Sequence, residues 1–70
     1  MKVEYDKYTD TLTLMLRDGA ATAESDEATP GIVFDYDAGG ELVSMEILDA
    51  SRRVTDTSKV EFSLLAPPKD

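Results

Sequence analysis

The chain has 70 residues, of which 15 are acidic and 7 basic, giving a formal charge of −8. This length predicts one domain over residues 1–70, and a chain this short buries only roughly 60% of the surface that its unfolded form exposes. It contains no cysteine and no histidine. Disulfides, thiolate chemistry and the usual general base near neutral pH are therefore excluded.

The charge also restricts the class of partner. Direct binding to nucleic acid requires clustered Lys and Arg, and the only adjacent basic pair in the sequence is Arg52 and Arg53. An anionic membrane would repel the chain, whereas a basic protein would be attracted to it. The start, MKVEYDKYTD, lacks the apolar segment of a signal peptide. We therefore expect a cytoplasmic protein with no nucleic-acid or membrane partner.

A first β-hairpin is predicted from residues 2–6 and 11–17. Apolar and polar residues alternate in both stretches, and the interleaved threonines of TLTLMLR favour a strand over a helix. Pairing Tyr5 with Leu12 places Val3 opposite Leu14, so that both apolar sets share a face. The acidic segment that follows, residues 20–29, fits either an exposed loop or a short charged edge strand.

A second hairpin is predicted from residues 32–36 and 41–48, after the break at Pro30–Gly31. Asp37 suits the first position of a type I turn, and Gly40 suits the left-handed position that follows. This turn would place Phe34 opposite Val43, and Asp35 opposite Leu42. Asp35 and Glu46 would then lie about 13 Å apart along the strands.

The C-terminal third contains weaker signals. A short helical turn is predicted near residues 49–54. Residues 59–65, KVEFSLL, alternate as a strand does, although Ser58 and Glu61 also fit a capping box for a short helix; we favour the strand. Residues 66–70 are expected to be frayed.

These elements predict a mainly β protein, a β-rich α+β fold with an antiparallel sheet of four to five strands built from two hairpins. No long amphipathic helix is available to cover the apolar face, so the sheet must curl over itself or meet another subunit. The residues expected on that face are Val3, Tyr5, Leu12, Leu14, Leu16, Ile32, Phe34, Val43, Met45 and Ile47, with Val60, Phe62 and Leu64 added by the third strand-like stretch.

The acidic side chains of the second hairpin are Asp35, Asp37, Glu41 and Glu46. We interpret them as solvated carboxylates, because Asp35 and Glu46 are too far apart for a glycosidase pair or a single metal ion. Asp35 and Asp37 lie closer, but the turn explains Asp37 better. No serine lies in a nucleophile elbow, and the glycines match no phosphate-binding pattern. We therefore predict no catalytic, cofactor or metal site.

The second face mixes apolar and polar residues, which is typical of a docking surface. Arg52 and Arg53 come after the second hairpin in the sequence. They are expected either to form local salt bridges or to reach a partner's carboxylate. The residues predicted to bind a partner are Met15, Val33, Asp35, Leu42, Glu46, Leu48, Arg52 and Arg53.

Two stretches carry a family resemblance. YDKYTDTLTLML, residues 5–16, and PGIVFDYDAGGELVSMEILDAS, residues 30–51, resemble the two halves of the small bacterial domain of unknown function 2283. Tyr8 and Thr9 replace the Glu-Ala that is common in the first turn of that family. The resemblance implies no enzymatic activity and no catalytic residues, and it implies a neutralising role towards small toxin-like proteins for some members.

The function predicted from these observations is a non-catalytic protein-interaction module, antitoxin-like, that neutralises a small basic partner. The alternatives are a self-contained homodimer with a structural or small-ligand role, and an enzyme that uses carboxylates and a divalent metal. The first two differ in whether the second surface belongs to another protein or to another copy of this chain.

Overall fold

The computed structural model describes residues 1–67 and contains one five-stranded antiparallel sheet followed by a single 3-10 helix. The strands are β1 (Lys2–Asp6), β2 (Thr11–Met15), β3 (Glu24–Thr29), β4 (Ile32–Tyr36) and β5 (Leu42–Ile47), and the 3-10 helix is Ala50–Arg52. Their order across the sheet is β1-β2-β5-β4-β3. The predicted mainly β fold and the short helical turn near residues 49–54 are confirmed.

The first hairpin has the predicted register. Tyr5 lies opposite Leu12, and Val3 lies opposite Leu14. The strand β2 is shorter than predicted, since it ends at Met15 and leaves Leu16 exposed. Its other edge pairs with β5, and this pairing joins the two hairpins in one sheet.

The turn of the second hairpin forms as its sequence predicts. One carboxylate oxygen of Asp37 accepts hydrogen bonds from the backbone N–H groups of Gly39 and Glu41, both at 2.9 Å. Gly40 has a φ of 83°, in the left-handed region that glycine adopts without a steric cost. The Arg17 guanidinium pairs with the second Asp37 oxygen.

The register predicted for the second hairpin is wrong. Phe34 lies opposite Met45 rather than Val43, and Asp35 lies opposite Ser44 rather than Leu42. The loop is one residue longer than expected, and a β-bulge at Val43 adds a second shift of one residue. Because two such shifts restore the alternation, the pattern of apolar residues fits both registers.

Of the alternatives for residues 20–29, the edge strand is the one that forms, over Glu24–Thr29. It pairs with β4 across the tight turn at Pro30–Gly31, where Gly31 has a φ of 84°. All six residues of β3 are exposed. This strand, rather than residues 59–65, is the fifth strand of the sheet.

The strand favoured for residues 59–65 is wrong, and so is the short helix, because this segment belongs to no helix or strand. Val60, Phe62 and Leu64 are 64%, 79% and 88% exposed rather than part of the core. Alternation makes a strand only where an edge offers hydrogen bonds, and no edge pairs with this segment. Of the predicted frayed tail, 66–67 are exposed and 68–70 lie outside the described residues.

Candidate functional site

One side of the sheet, which we call the apolar face, consists of two rows of side chains that cross four strands. The first row is Tyr5, Leu12, Ile47 and Ile32, and the second is Val3, Leu14, Met45 and Phe34. Residues directly opposite on paired strands point to the same face, so each row is continuous. Eight large side chains therefore form one contiguous surface.

The apolar face is incompletely covered. None of its eight side chains is buried, and each remains partly accessible. Within residues 1–67 the only elements are the five strands and the three-residue 3-10 helix, so neither a second sheet nor a long helix lies over this face. The buried apolar residues of the described chain are instead Val43 and Ala50. The protein thus leaves only partly covered the surface that normally forms the middle of a two-layered domain.

The opposite side, which we call the polar face, is made of two further rows. They are Lys2, Met15, Ser44, Asp35 and Ser25, and then Glu4, Thr13, Glu46, Val33 and Glu27. A shallow groove of about 430 Å³ lies on this side, between the rows and the loop that follows β2. The buried side chain of Val43 lines it. Val43 thus lies beside the polar face, although the sequence predicted it on the apolar one.

The carboxylate of Asp35 is the buried polar group of this face, with only 6% of the residue exposed. Ser25 Oγ donates a hydrogen bond to one oxygen at 2.5 Å, and Ser44 Oγ donates to the other at 2.7 Å. Burial raises the pKa of Asp35, but hydrogen bonds from Ser25, Ser44 and Glu46 outweigh it, so that the pKa lies below its usual value.

Glu46 lies diagonally across from Asp35, and each carboxyl group shifts the pKa of the other. The hydrogen bond to Asp35 raises the pKa of Glu46, and burial and the charge of Asp35 raise it further. The predicted separation of about 13 Å is therefore wrong. The corrected register places Asp35 opposite Ser44, two positions from Glu46, so the side chains come within reach.

The chemistry available to this pair is limited. Both oxygens of Asp35 already accept hydrogen bonds from serine hydroxyls that lie in the same cross-strand row. In residues 1–67, no three side chains of the acidic, histidine or cysteine type come together in a group that could hold a metal ion. The arrangement fixes three strands to each other, which is a structural role.

The residues predicted to bind a partner do not form one surface. Met15, Val33, Asp35 and Glu46 lie together on the polar face. Leu42 lies opposite Tyr36, which places it on the side of the apolar face.

The other three predicted residues follow β5. Leu48 and Arg52 are exposed there. Arg53 donates a hydrogen bond from Nη2 to the backbone oxygen of Pro30 at 2.7 Å, so it stabilises the turn between β3 and β4. In the part of the chain that the structure describes, the ion pairs are Arg17–Asp37 and Lys59–Glu61, so neither arginine forms the local salt bridge that was one of the two expectations.

Sequence reasoning missed the role of Asp10. This residue ends the first turn in a left-handed conformation, with a φ of 55°. Its carboxylate accepts hydrogen bonds from the Tyr5 hydroxyl at 2.7 Å and from both the N–H and the hydroxyl of Ser51, at 2.9 and 2.6 Å. Asp10 and Ser51 stand in the two motif-bearing stretches quoted above, which was the available signal that they act together.

No helix within residues 1–67 is long and apolar enough to cross a membrane. The model of a protein family of unknown function, DUF2283, matches residues 2–51. Comparison with curated proteins and with solved structures finds no match. The family match spans well over half of the 70 residues, so the chain belongs to the DUF2283 family.

Proposed function

We propose that this member of the DUF2283 family is a non-catalytic protein-interaction module that docks through its apolar face. The observation that supports this proposal is the incompletely covered double row of eight apolar side chains. Fully burying one large apolar side chain is worth about 1.5–3 kcal/mol. A second surface laid on the face would complete that burial, which gives a strong drive for association.

The absence of catalysis belongs to the same proposal. The chain has neither histidine nor cysteine, the residues that most often act as base and nucleophile near neutral pH. Asp35, the most buried carboxylate, is held by Ser25 and Ser44. A carboxylate committed to two hydroxyl donors inside the sheet is poorly placed to meet a substrate.

Two methionines provide a direct test, because both are partly buried and they lie on opposite faces. Met45 belongs to the apolar face, and Met15 belongs to the polar face. Mild peroxide converts accessible methionine into its sulfoxide, which mass spectrometry quantifies at each site. In cells that contain the protein at its natural level, we expect Met45 to oxidise at least several-fold more slowly than Met15. Equal rates at the two sites would contradict the proposal.

A matched pair of variants identifies the face responsible. Leu14 and Thr13 are neighbours on β2 and point to opposite faces, so Leu14→Lys and Thr13→Lys introduce the same charge on different sides. We expect Leu14→Lys to abolish the protection of Met45 and Thr13→Lys to preserve it. Circular dichroism of both variants establishes that the sheet is intact. Loss of protection in both would place the docking surface elsewhere.

A second candidate concerns the acidic charge, and it is an antitoxin-like role towards a basic protein. The specific observation is that one row of the polar face contributes Glu4, Glu46 and Glu27 to the same side of a chain whose net charge is −8. A basic partner held by this row would bind more weakly as salt rises, because exposed charges are screened beyond about 8 Å at physiological ionic strength.

Co-expression with a small basic protein encoded beside this chain tests the antitoxin-like role. We expect a stoichiometric complex whose Kd rises with salt and is weakened by Glu4→Gln combined with Glu27→Gln. A complex that is unchanged by salt and by these substitutions would exclude the acidic row as its contact.

A further inference from the structure

We propose that the occupant of the apolar face is a second copy of this chain, and that residues 59–65 of each copy, which we call the C-terminal arm, complete the contact by lying across the partner's sheet. This inference rests on the proposed function, because it assumes that the apolar face is a docking surface. It adds the identity of the partner and a role for a segment that belongs to no helix or strand.

The first observation is the composition and exposure of the arm. Val60, Phe62 and Leu64 alternate with Lys59, Glu61 and Ser63, so an extended arm has one apolar side, and its other side is polar except for Leu65. The large apolar side chains of this segment are 64–88% exposed. Exposed apolar side chains of this size and number mark a contact surface. The described part of the chain thus contains two incompletely covered apolar surfaces, one on the sheet and one on the arm.

The second observation is that the arm does not pack its apolar side chains against its own sheet, since they stay 64–88% exposed. The radius of gyration is 14.4 Å, whereas a compact domain of this length has about 11 Å. The described residues are thus less compact than a domain that closes over its own core.

The apolar face alone offers a small contact area. Four strands about 4.8 Å apart, each contributing about five residues of 3.3 Å, give the apolar face a footprint on the order of 300 Å². A stable interface buries about 800 Å² of accessible surface from each partner, which is more than twice this flat footprint. Two sheets stacked face to face therefore form only a small interface. An extended arm of seven residues, about 23 Å long, adds contact area and is long enough to cross all four strands of a facing copy.

The family match includes the sheet and excludes the C-terminal arm. The family model covers residues 2–51, which include the whole sheet and end at Ser51. The arm follows after that boundary. The apolar face thus belongs to the shared domain, and the segment that we assign to its coverage is attached outside it.

Sedimentation velocity over a range of protein concentrations is the first test. We expect a dimer, and we expect Phe62→Ser to raise its Kd by ten-fold or more, because a large apolar side chain leaves the contact. The control is Tyr8→Ser, which removes another highly exposed aromatic ring from the turn between β1 and β2. Both positions are exposed in the single chain, so neither substitution disturbs the sheet. An unchanged Kd for Phe62→Ser would overturn the role of the arm.

The absence of cysteine in the sequence allows a cross-linking test without background. A chain with Phe62→Cys is mixed with a chain that carries Leu14→Cys, at a concentration above the raised Kd of the Phe62 variant, and treated with a short bismaleimide. We expect a cross-link between the two different chains, identified by mass. The control replaces Leu14→Cys with Thr13→Cys, which points to the polar face and should give no product.

A single chain carrying both Phe62→Cys and Leu14→Cys, studied at high dilution, separates two kinds of failure. A cross-link within a monomer would show that the arm seals its own sheet, and this would overturn both the inference and the proposed function. A monomer with no cross-link at any concentration would overturn the inference alone. In that case the protection of Met45 in cells decides whether a different protein occupies the apolar face.

Discussion

The Ser51 hydroxyl donates a hydrogen bond to the Asp10 carboxylate at 2.6 Å, between residues 41 positions apart in the sequence. The same carboxylate accepts the backbone N–H of Ser51, and the backbone oxygen of Asp10 accepts the N–H of Ala50 at 2.9 Å. These bonds attach the chain that follows β5 to the turn between β1 and β2. The family match ends at Ser51, so these bonds attach the last residue of the matched region to the first hairpin.

Substitutions at Asp10 should separate the contribution of its carboxylate acceptors from that of its left-handed backbone conformation. Asp10→Ala removes the acceptors and places alanine at a φ of 55°, whereas Asp10→Asn keeps one oxygen and tolerates this conformation. We expect Asp10→Ala to lower Tm by on the order of 5 °C and Asp10→Asn to lower it by about half as much. Thermal unfolding followed by circular dichroism measures both, and equal losses would exclude a role for the remaining acceptor.

The loss of stability at low pH should also depend on Asp10. Hydrogen bonds from the Ser51 hydroxyl and the Tyr5 hydroxyl lower the pKa of Asp10 below its ordinary value of 3.8. A carboxylate whose pKa is lowered by folding stabilises the protein at any pH above its ordinary pKa. That stability is lost as the pH falls through the pKa of the folded state. We expect Asp10→Asn to lose less stability than the natural chain on acidification from pH 5 to pH 2.5. Parallel curves in urea titrations would contradict this assignment.

Removal of the Asp35 carboxylate should be costly. Asp35→Ala leaves Ser25 and Ser44 without their acceptor in the middle of three paired strands. Hydrogen bonds to charged groups are worth about 1.5–3 kcal/mol, so we expect a loss of about 2 kcal/mol in the free energy of unfolding. Glu4→Ala is the control, since Glu4 is an exposed carboxylate on the same face, and it should cost less than about 0.5 kcal/mol. Similar losses for the two would show that Asp35 is not specially stabilised.

Glu46→Gln should stabilise the protein at neutral pH. The hydrogen bond to Asp35, burial and the charge of Asp35 raise the pKa of Glu46 above its ordinary value of 4.5. The stability that the Glu46 proton contributes is fully present below the ordinary pKa. It is lost as the pH rises through the pKa of the folded state. Glutamine keeps the donor without the charge, so we expect a gain of about 0.5 kcal/mol at pH 7, as for other like-charged neighbours. The gain should disappear near pH 4, and a gain that is constant with pH would contradict the raised pKa of Glu46.

Gly31→Ala should destabilise the turn between β3 and β4 for two reasons. The φ of 84° is unfavourable for alanine, and its Cβ would lie 2.5 Å from Nη2 of Arg53, which bonds to the oxygen of Pro30. We expect a loss of about 1–2 kcal/mol from the backbone alone. In an Arg53→Ala background the loss should be smaller, because the displaced hydrogen bond is already absent. Additive losses in urea unfolding would show that the two residues act independently.

Local patterns predicted the parts of this fold that local chemistry determines. The pairing of Tyr5 with Leu12 follows from alternation, and the Asp37 turn follows from the geometry of its carboxylate. The register of the second hairpin was not accessible in this way. A longer loop and the bulge at Val43 shift it by one residue each and leave the alternation intact.

The alternating pattern and the lack of a long helix predicted that the apolar face needs a cover, but partner binding was assigned to other residues. The proximity of Asp35 and Glu46 depended on the corrected register. Residues 59–65 alternate as a strand does, but pairing is a property of the neighbouring edge and not of the segment. In the same way, Glu24–Thr29 lacks any large apolar residue and still pairs, because β4 offers it an edge.

The acidic edge strand β3 limits how this protein aggregates. Along β3, Glu24, Asp26 and Glu27 place three negative charges beside the free backbone groups of that edge. Another copy that approached with its own β3 would meet the same charges, so addition of strand to strand through this edge, the growth mode of amyloid fibrils, is opposed. Contact through the apolar face does not use this edge, and it stops after one partner. The acidic edge therefore favours finite complexes over fibrils.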